Sequence, residues 1–328
     1  MIKTSVRQAI RDAMAEEMRR DSSIFLLGED VGRFEGAYKV SRGLLREFGE
    51  SRVIDSPITE HGFTGLGVGA SMSGLRPIIE FMTFNFAMQA IDHIVNTAAK
   101  TLFMSGGNVR CPIVFRGPNG VPRGVAAQHS QCFASWYAHV PGLRVVAPYT
   151  SSEAKWLLKA AIRNDSPVIF LEHELLYSKE FPIPPKIEVM PLDQACIVRE
   201  GTDITLATFS IGVEHAVKTA EILQAEHGIS AEIINLISLR PIDSSTIIKS
   251  IQKTGRIISI EEGWPVCGIG SEIISIVCEK AFGYLDADPA RICSADAPIP
   301  YAPNLEKAAL PTVEKIVRTA RKLCGQIR

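Results

Sequence analysis

No CxxC pair joins any of the seven cysteines, which stand apart at 111, 132, 196, 267, 278, 293 and 324. An odd, scattered set argues against a disulfide framework, a zinc ribbon and a cysteine-held iron–sulfur cluster, and it points to a reducing compartment. No apolar run reaches the roughly 18 uncharged residues a membrane helix needs. The most apolar stretch, 77–91, is broken by Glu80 and followed by Asp92. Neither sign of charge is in excess, because 35 Lys and Arg face 36 Asp and Glu, for a net charge of −1. That balance removes the basic field that draws nucleic acid or an anionic membrane. Internal repeats and low-complexity tracts are missing too. So is any Gly-Asp-Gly; the nearest look-alike, Gly28-Glu29-Asp30, lacks the second glycine.

What remains is ordinary globular material, 328 residues of which 46% are hydrophobic. That length exceeds one typical core and predicts two domains. Near the start, Val6, Ile10, Met14 and Met18 recur at helical spacing, with Thr4 or Ser5 able to cap. Asp12, Glu16 and Glu17 are wrong for a transit peptide. This segment is expected to be the first helix of the fold, in a bacterial cytoplasmic protein.

Short apolar runs then alternate with helical patterns. Strands are expected at 24–30, 52–56, 76–82, 111–117, 143–148 and 167–174, with a long helix from about Asn85 to Met104. Thr150 and Glu153 form a capping-box signature. Four prolines at 182, 184, 185 and 191 mark a linker over 181–192, and the alternation resumes through 203–210, 231–238, 256–262 and a final helix over 312–323. The expected fold class is α/β. Each of two domains, 1–180 and 193–328, is a mostly parallel sheet flanked by helices.

Two places stand out chemically. Glu60 heads a glycine-rich apolar helix, with glycines at 62, 65, 67, 69 and 74. Those glycines are best explained by close packing, and two copies of the helix could meet across a dimer axis. A carboxyl entering an apolar helix is costly to ionise and suits proton sharing, although a helix N-terminus also favours an acid by its dipole. His129, in Gly124–Gln131, is the candidate partner; alone it reads equally as a satisfied histidine. Between them, 81–100 is dense in Phe and Met. Such a stripe is normally core, but Phe86 and Gln89 open a helix beside a strand end, where α/β ligand sites form.

The words LLGEDVG, GAYKVSRGL, EFMTFNFAMQAID, PIVFRGPNG, GVAAQHSQCFASWYAHVPGL, RPID and EEGWP resemble the beta subunits of thiamine-diphosphate-dependent 2-oxo acid dehydrogenase decarboxylating components, on the pyruvate dehydrogenase branch. These subunits are transketolase-like. The resemblance runs from about Ser5 to near the C-terminus.

The resemblance implies catalytic roles for Glu60 and His129. The glutamate matching Glu60 hydrogen-bonds a ring nitrogen of the cofactor's aminopyrimidine and promotes its reactive tautomer. Phe86 matches the residue on the pyrimidine face, and Met82 and Gln89 match neighbours of that pocket. His129 matches a proton donor for transfer to lipoamide. Potassium is implied at Ile113, Ala161, Ile162, Asn164 and Ser166, mainly through backbone carbonyls. Asn164 stands where aspartate is usual, and Ser166 where asparagine is frequent.

Enzymes using this cofactor fix magnesium and diphosphate with a Gly-Asp-Gly segment. Its absence implies that an alpha subunit supplies the magnesium ligands, in an assembly of two alpha and two beta chains. The lipoyl domain and core acyltransferase are implied further partners. A branched-chain or acetoin dehydrogenase subunit, a split transketolase and a non-catalytic scaffold for the alpha subunit are the alternatives. A cysteine hydrolase built on His129 and Cys132 lacks a third orienting group.

Overall fold

The computed structural model describes residues 2–184 and 189–327. The chain divides into two compact units. One is built from the chain up to Asn119 together with Trp136–Leu192; the other comprises Gly120–Ser135 and the chain from Asp193 onward. The sequence had put 120–135 with the first domain.

As far as Leu192 the elements are β1 (Ile2–Ser5), α1 (Val6–Arg20), β2 (Ile24–Glu29), α2 (Leu44–Phe48), β3 (Val53–Ser56), α3 (Glu60–Met72), β4 (Arg76–Glu80), α4 (Phe84–Ala87), α5 (Ala99–Met104), β5 (Val114–Pro118), α6 (Ala134–Ala138), β6 (Arg144–Val146), α7 (Ser151–Arg163), β7 (Val168–Glu172) and β8 (Glu180–Ile183). In the first unit the strands lie in the order β6-β7-β5-β4-β2-β3, all neighbours parallel. A parallel sheet needs helical crossovers, and these cover its faces. Strands β2, β4, β5 and β7 accordingly contain mainly buried residues.

Helix α1 is capped by Ser5, whose hydroxyl accepts from the Gln8 N–H, and it buries Val6, Ile10, Met14 and Met18 as their spacing requires. It packs on α7. There the buried Glu17 receives Arg163 through Nη2 at 2.8 Å and Nε at 2.9 Å. The capping box forms at the start of α7 between Thr150 and Glu153.

Two expectations change. The long helix of 85–104 winds without interruption from Phe84 to Met104, but its hydrogen bonding changes along the way, through α4, a 3-10 turn at Met88–Ala90, a π-helical stretch at His93–Ala98, and α5. The proline-rich segment is not linker from its start. Glu180–Ile183 pairs antiparallel with β1, as an edge strand can despite Pro182. Residues 185–188 of the expected linker lie outside the described residues.

From Asp193 the elements are β9 (Cys196–Arg199), β10 (Ile204–Thr208), α8 (Gly212–His227), β11 (Ala231–Asn235), β12 (Ser238–Arg240), α9 (Ser244–Thr254), β13 (Ile257–Ile260), α10 (Ile269–Ala281), β14 (Ala290–Ile292), α11 (Pro303–Ala309) and α12 (Val313–Leu323). The sheet runs β14-β13-β10-β11-β9, parallel except for the antiparallel β9 edge. Its core joins Leu206, Leu223, Ile233, Ile258 and Ile316. Among the described residues no helix is long and apolar enough to cross a membrane.

Candidate active site

The C-terminal ends of β2 and β4 and the start of α3 collect the site residues of the first unit. Strand β2 ends at Glu29, which lies opposite Ser56 of β3. Four residues beyond Ser56, α3 begins with Glu60. The strands approach closely here: a Cβ on Gly28 would stand 2.4 Å from the Glu80 carbonyl oxygen, so only glycine fits.

Both carboxyls are buried, Glu60 to 4% exposure and Glu29 to 6%. Glu60 Oε2 and Glu29 Oε1 have no hydrogen-bond partner among the described residues. Burial, and then the neighbouring Glu60 and Asp30 charges, push the Glu29 carboxyl up to about 7. One of two adjacent carboxyls thus keeps its proton near neutrality, the condition under which a pair can trade protons. The sequence reading did not single out Glu29. A strand that ends in two acids reads as a strand leaving the core, and the Glu60 charge that acts on Glu29 lies 31 positions away in the chain.

The phenylalanines separate by role. Phe81 and Phe84 are fully buried; Phe81 packs against Phe63, Phe84 and Phe115, and Phe84 edges onto Tyr137. Phe86 remains half-buried on α4, as does Met82 just after β4, and Gln89 is exposed on the 3-10 turn. Thr83 caps α4 by accepting from the Asn85 backbone and side-chain amides. Helix α3 lies against both the 3-10 turn and the π-helical stretch. Two of its glycines have no room for a side chain: a Cβ on Gly65 would meet the His93 ring at 2.7 Å, and one on Gly67 would meet Ile79 at 2.5 Å. The glycine pattern is therefore a packing pattern at these positions.

Beneath this site Arg116 is buried with two acids from neighbouring strands. Its Nε and Nη2 grip Glu172 at 2.6 and 2.5 Å, and its Nη1 pairs with Glu80. Tyr177 donates its hydroxyl to Glu172 at 2.6 Å. Burial alone would lower the arginine's pKa, but the Glu172 and Glu80 charges outweigh it and hold the guanidinium protonated. The cluster ties the ends of β4, β5 and β7 together.

The positions matched to potassium lie in the last turn of α7, on the turn that follows it, and just before β5. Ile113 O accepts from Val168 N at 2.9 Å and Ala161 O from Asn164 N at 3.2 Å. Ile162 O and Asn164 O both accept from Arg76 Nη1, at 2.9 and 3.0 Å. Asn164 Oδ1 accepts from Ser166 N at 2.8 Å. Carbonyl oxygens suit a hard cation, and each keeps a second lone pair. The Arg76 charge opposes a second cation on two of them.

His129 belongs to the second unit. It ends a 3-10 turn at Ala127–His129 and is exposed; its N–H donates to Ala126 O at 3.4 Å. Cys132 is buried.

With that geometry in view, both units have counterparts. Residues 2–179 match the transketolase pyrimidine-binding domain, and 193–316 match the transketolase C-terminal domain. A chain titled split gene transketolase, inactive beta4 tetramer, superposes with a TM-score of 0.78 at 20% identity, covering 99% of both chains; this is a likeness of fold. The class is a two-domain transketolase-type protein. The pyruvate dehydrogenase E1 component subunit beta of Rhizobium meliloti is 57% identical over 99% of this chain and 70% of its own length. That of Rickettsia felis is 55% identical over 98% of each. The chain belongs to the family of pyruvate dehydrogenase E1 component beta subunits.

Proposed function

We propose that this chain, paired with an alpha subunit, decarboxylates pyruvate on thiamine diphosphate and delivers the acetyl group to the lipoyl group of the acyltransferase. The first domain, 1–180, forms the pyrimidine half of the site; 193–328 serves assembly. The enzyme works in the bacterial cytoplasm.

One observation carries this reading: Glu60 is buried with an oxygen that nothing in its unit satisfies. Leaving a buried acceptor unpaired costs about 1–3 kcal/mol, and a protonated ring nitrogen of an aminopyrimidine would relieve it. When bound, the cofactor supplies the carbanion chemistry that cleaves a 2-oxo acid beside its carbonyl. The chain's own contribution is proton control and shape. Glu60 shares its proton with the ring nitrogen. Glu29, protonated up to about pH 7, keeps a second negative charge from building up beside it. Phe86 lies on the pyrimidine face, bordered by Met82 and Gln89. His129 donates a proton during transfer to the lipoyl group, a step suited to an imidazole near neutral pH.

Magnesium is held by the alpha subunit, a division supported by the missing Gly-Asp-Gly segment. Potassium would be held mainly by the backbone carbonyls at Ile113, Ala161, Ile162, Asn164 and Ser166, with the Arg76 charge opposing it.

The test is pyruvate decarboxylation with an artificial electron acceptor, by this chain alone and by the chain co-expressed with an alpha subunit, each with thiamine diphosphate and magnesium. Activity only in the mixture is expected. Turnover by the lone chain would overturn the divided site. Turnover of a branched 2-oxo acid in place of pyruvate would move the chain to another substrate.

A further inference from the structure

We propose that the second unit holds the His129 loop in place through two carboxylates, Glu262 and Glu306, so that both are positioning residues for His129. The proposal rests on reading His129 as the proton donor of acetyl transfer.

The loop is closed at its neck, where Gly120 N donates to Gln131 O at 2.9 Å. Between those residues it has little structure of its own. Gly124 and Ala126 take positive φ, +71° and +62°, and one 3-10 turn ends at His129. Irregular backbone and an exposed surface are the conditions for a loop that opens easily.

Two side chains distant in sequence supply what the loop lacks. Glu262 Oε2 accepts the Val121 N–H at 3.1 Å, and Glu306 Oε2 accepts the Gly124 N–H at 2.9 Å. Bonds of a carboxylate to backbone N–H are charge-assisted and stronger than neutral ones. Glu306 is 7% exposed, so water competes little for it. Its backbone N–H is tied to Ala302 O, which fixes the helix from which it reaches. The same helix, α11, presents Ala309 to Val121, in an apolar cluster with Ile299 and Leu310. Trp264 Nε1 donates to Ala297 O at 3.0 Å, and Ala295 N donates to Ala309 O at 2.7 Å. The turn bearing Glu262 and the helix bearing Glu306 are thus parts of one support.

Both bonds hold main chain, not side chains. They fix where the loop runs, and through it where His129 stands. The second unit therefore takes part in one step of the reaction in addition to its role in assembly.

The test uses the assembled enzyme with thiamine diphosphate and magnesium, comparing Glu306→Ala, Glu306→Gln, Glu262→Gln and His129→Ala. Three quantities are read: hydrogen exchange of the 120–135 peptide, decarboxylation with an artificial acceptor, and reductive acetylation of a lipoyl domain. Glu306→Ala should speed exchange about ten-fold and lower acetylation about ten-fold more than decarboxylation, the scale of one charge-assisted bond. Glu306→Gln keeps an acceptor oxygen and should recover most of both. Unchanged exchange in Glu306→Ala would overturn the proposal whatever the activities do. Faster exchange with acetylation and decarboxylation falling together would also overturn it, because positioning of His129 would not be what was lost. If His129→Ala itself spares acetylation, the reading of His129 fails, and the exchange data still decide whether the carboxylates hold the loop.

Discussion

In the second unit Glu232, Glu261 and Glu306 are buried, and each accepts from backbone N–H groups: Gly201 onto Glu232, Ile269 and Gly270 onto Glu261, Gly124 onto Glu306. In the first unit Glu29 and Glu60 are buried as deeply, yet each keeps an oxygen with no donor among the described residues. The first unit does not treat all its acids this way. Glu17, Glu80 and Glu172 are met by arginines. Among the described residues, the open oxygens of buried carboxyls are thus confined to one place, the end of β2 and the start of α3. These two open carboxyl oxygens are the ones that the proposed function gives to a donor from outside the chain.

The largest effect is expected at Arg116. Replacing it with Met strips Glu80 and Glu172 of their partner. Uncompensated buried charge costs about 3–5 kcal/mol, so a large fall in the urea midpoint is expected. A loss under about 1 kcal/mol would mean that the paired acids of this unit depend on their partners no more than a surface ion pair does.

Glu29 gives a smaller, pH-dependent effect. Its folded pKa is raised from 4.5 to about 7, so the native state binds the proton more tightly than the unfolded chain does. Its stabilising contribution is full below about pH 4.5 and declines as pH rises, until it is lost above about pH 7. Glu29→Gln should remove that slope, narrowing the difference in melting temperature between about pH 5 and about pH 8. An unchanged slope would place the raised pKa elsewhere.

The smallest effect concerns the turn after α7. Arg76→Met removes a clamp from Ile162 O and Asn164 O and also a competing positive charge. The variant should melt a few degrees lower in sodium buffer and recover in potassium. Equal melting in both salts would leave no cation site at this turn.

Much of this was legible in the chain. Glu60 stands out because an acid heading a glycine-rich apolar helix is a local anomaly. The capping box at Thr150 and the apolar face of α1 follow from spacing. Glu29 was hidden, since its partner Glu60 is brought near it by the fold and not by the local sequence. The changes of hydrogen bonding within 85–104 escaped a periodicity argument because the segment winds throughout with nearly helical spacing. Pro182 suggested a linker, but an edge strand tolerates a residue that cannot donate. The grouping of 120–135 with the second unit reflects contacts with residues far downstream, among them the bonds from Val121 to Glu262 and from Gly124 to Glu306, and no local pattern announces such bonds.

The most direct measurement is the exchange rate of the cofactor's thiazolium carbon-bound proton, followed by NMR in the assembled enzyme with and without Glu60→Gln. If the open oxygen of Glu60 is there to share a proton with the aminopyrimidine, the substitution should slow exchange by about a hundred-fold or more while the assembly and its melting temperature stay intact. Exchange at the parental rate would contradict the account, because the unpartnered carboxyl would then have no part in activating the cofactor.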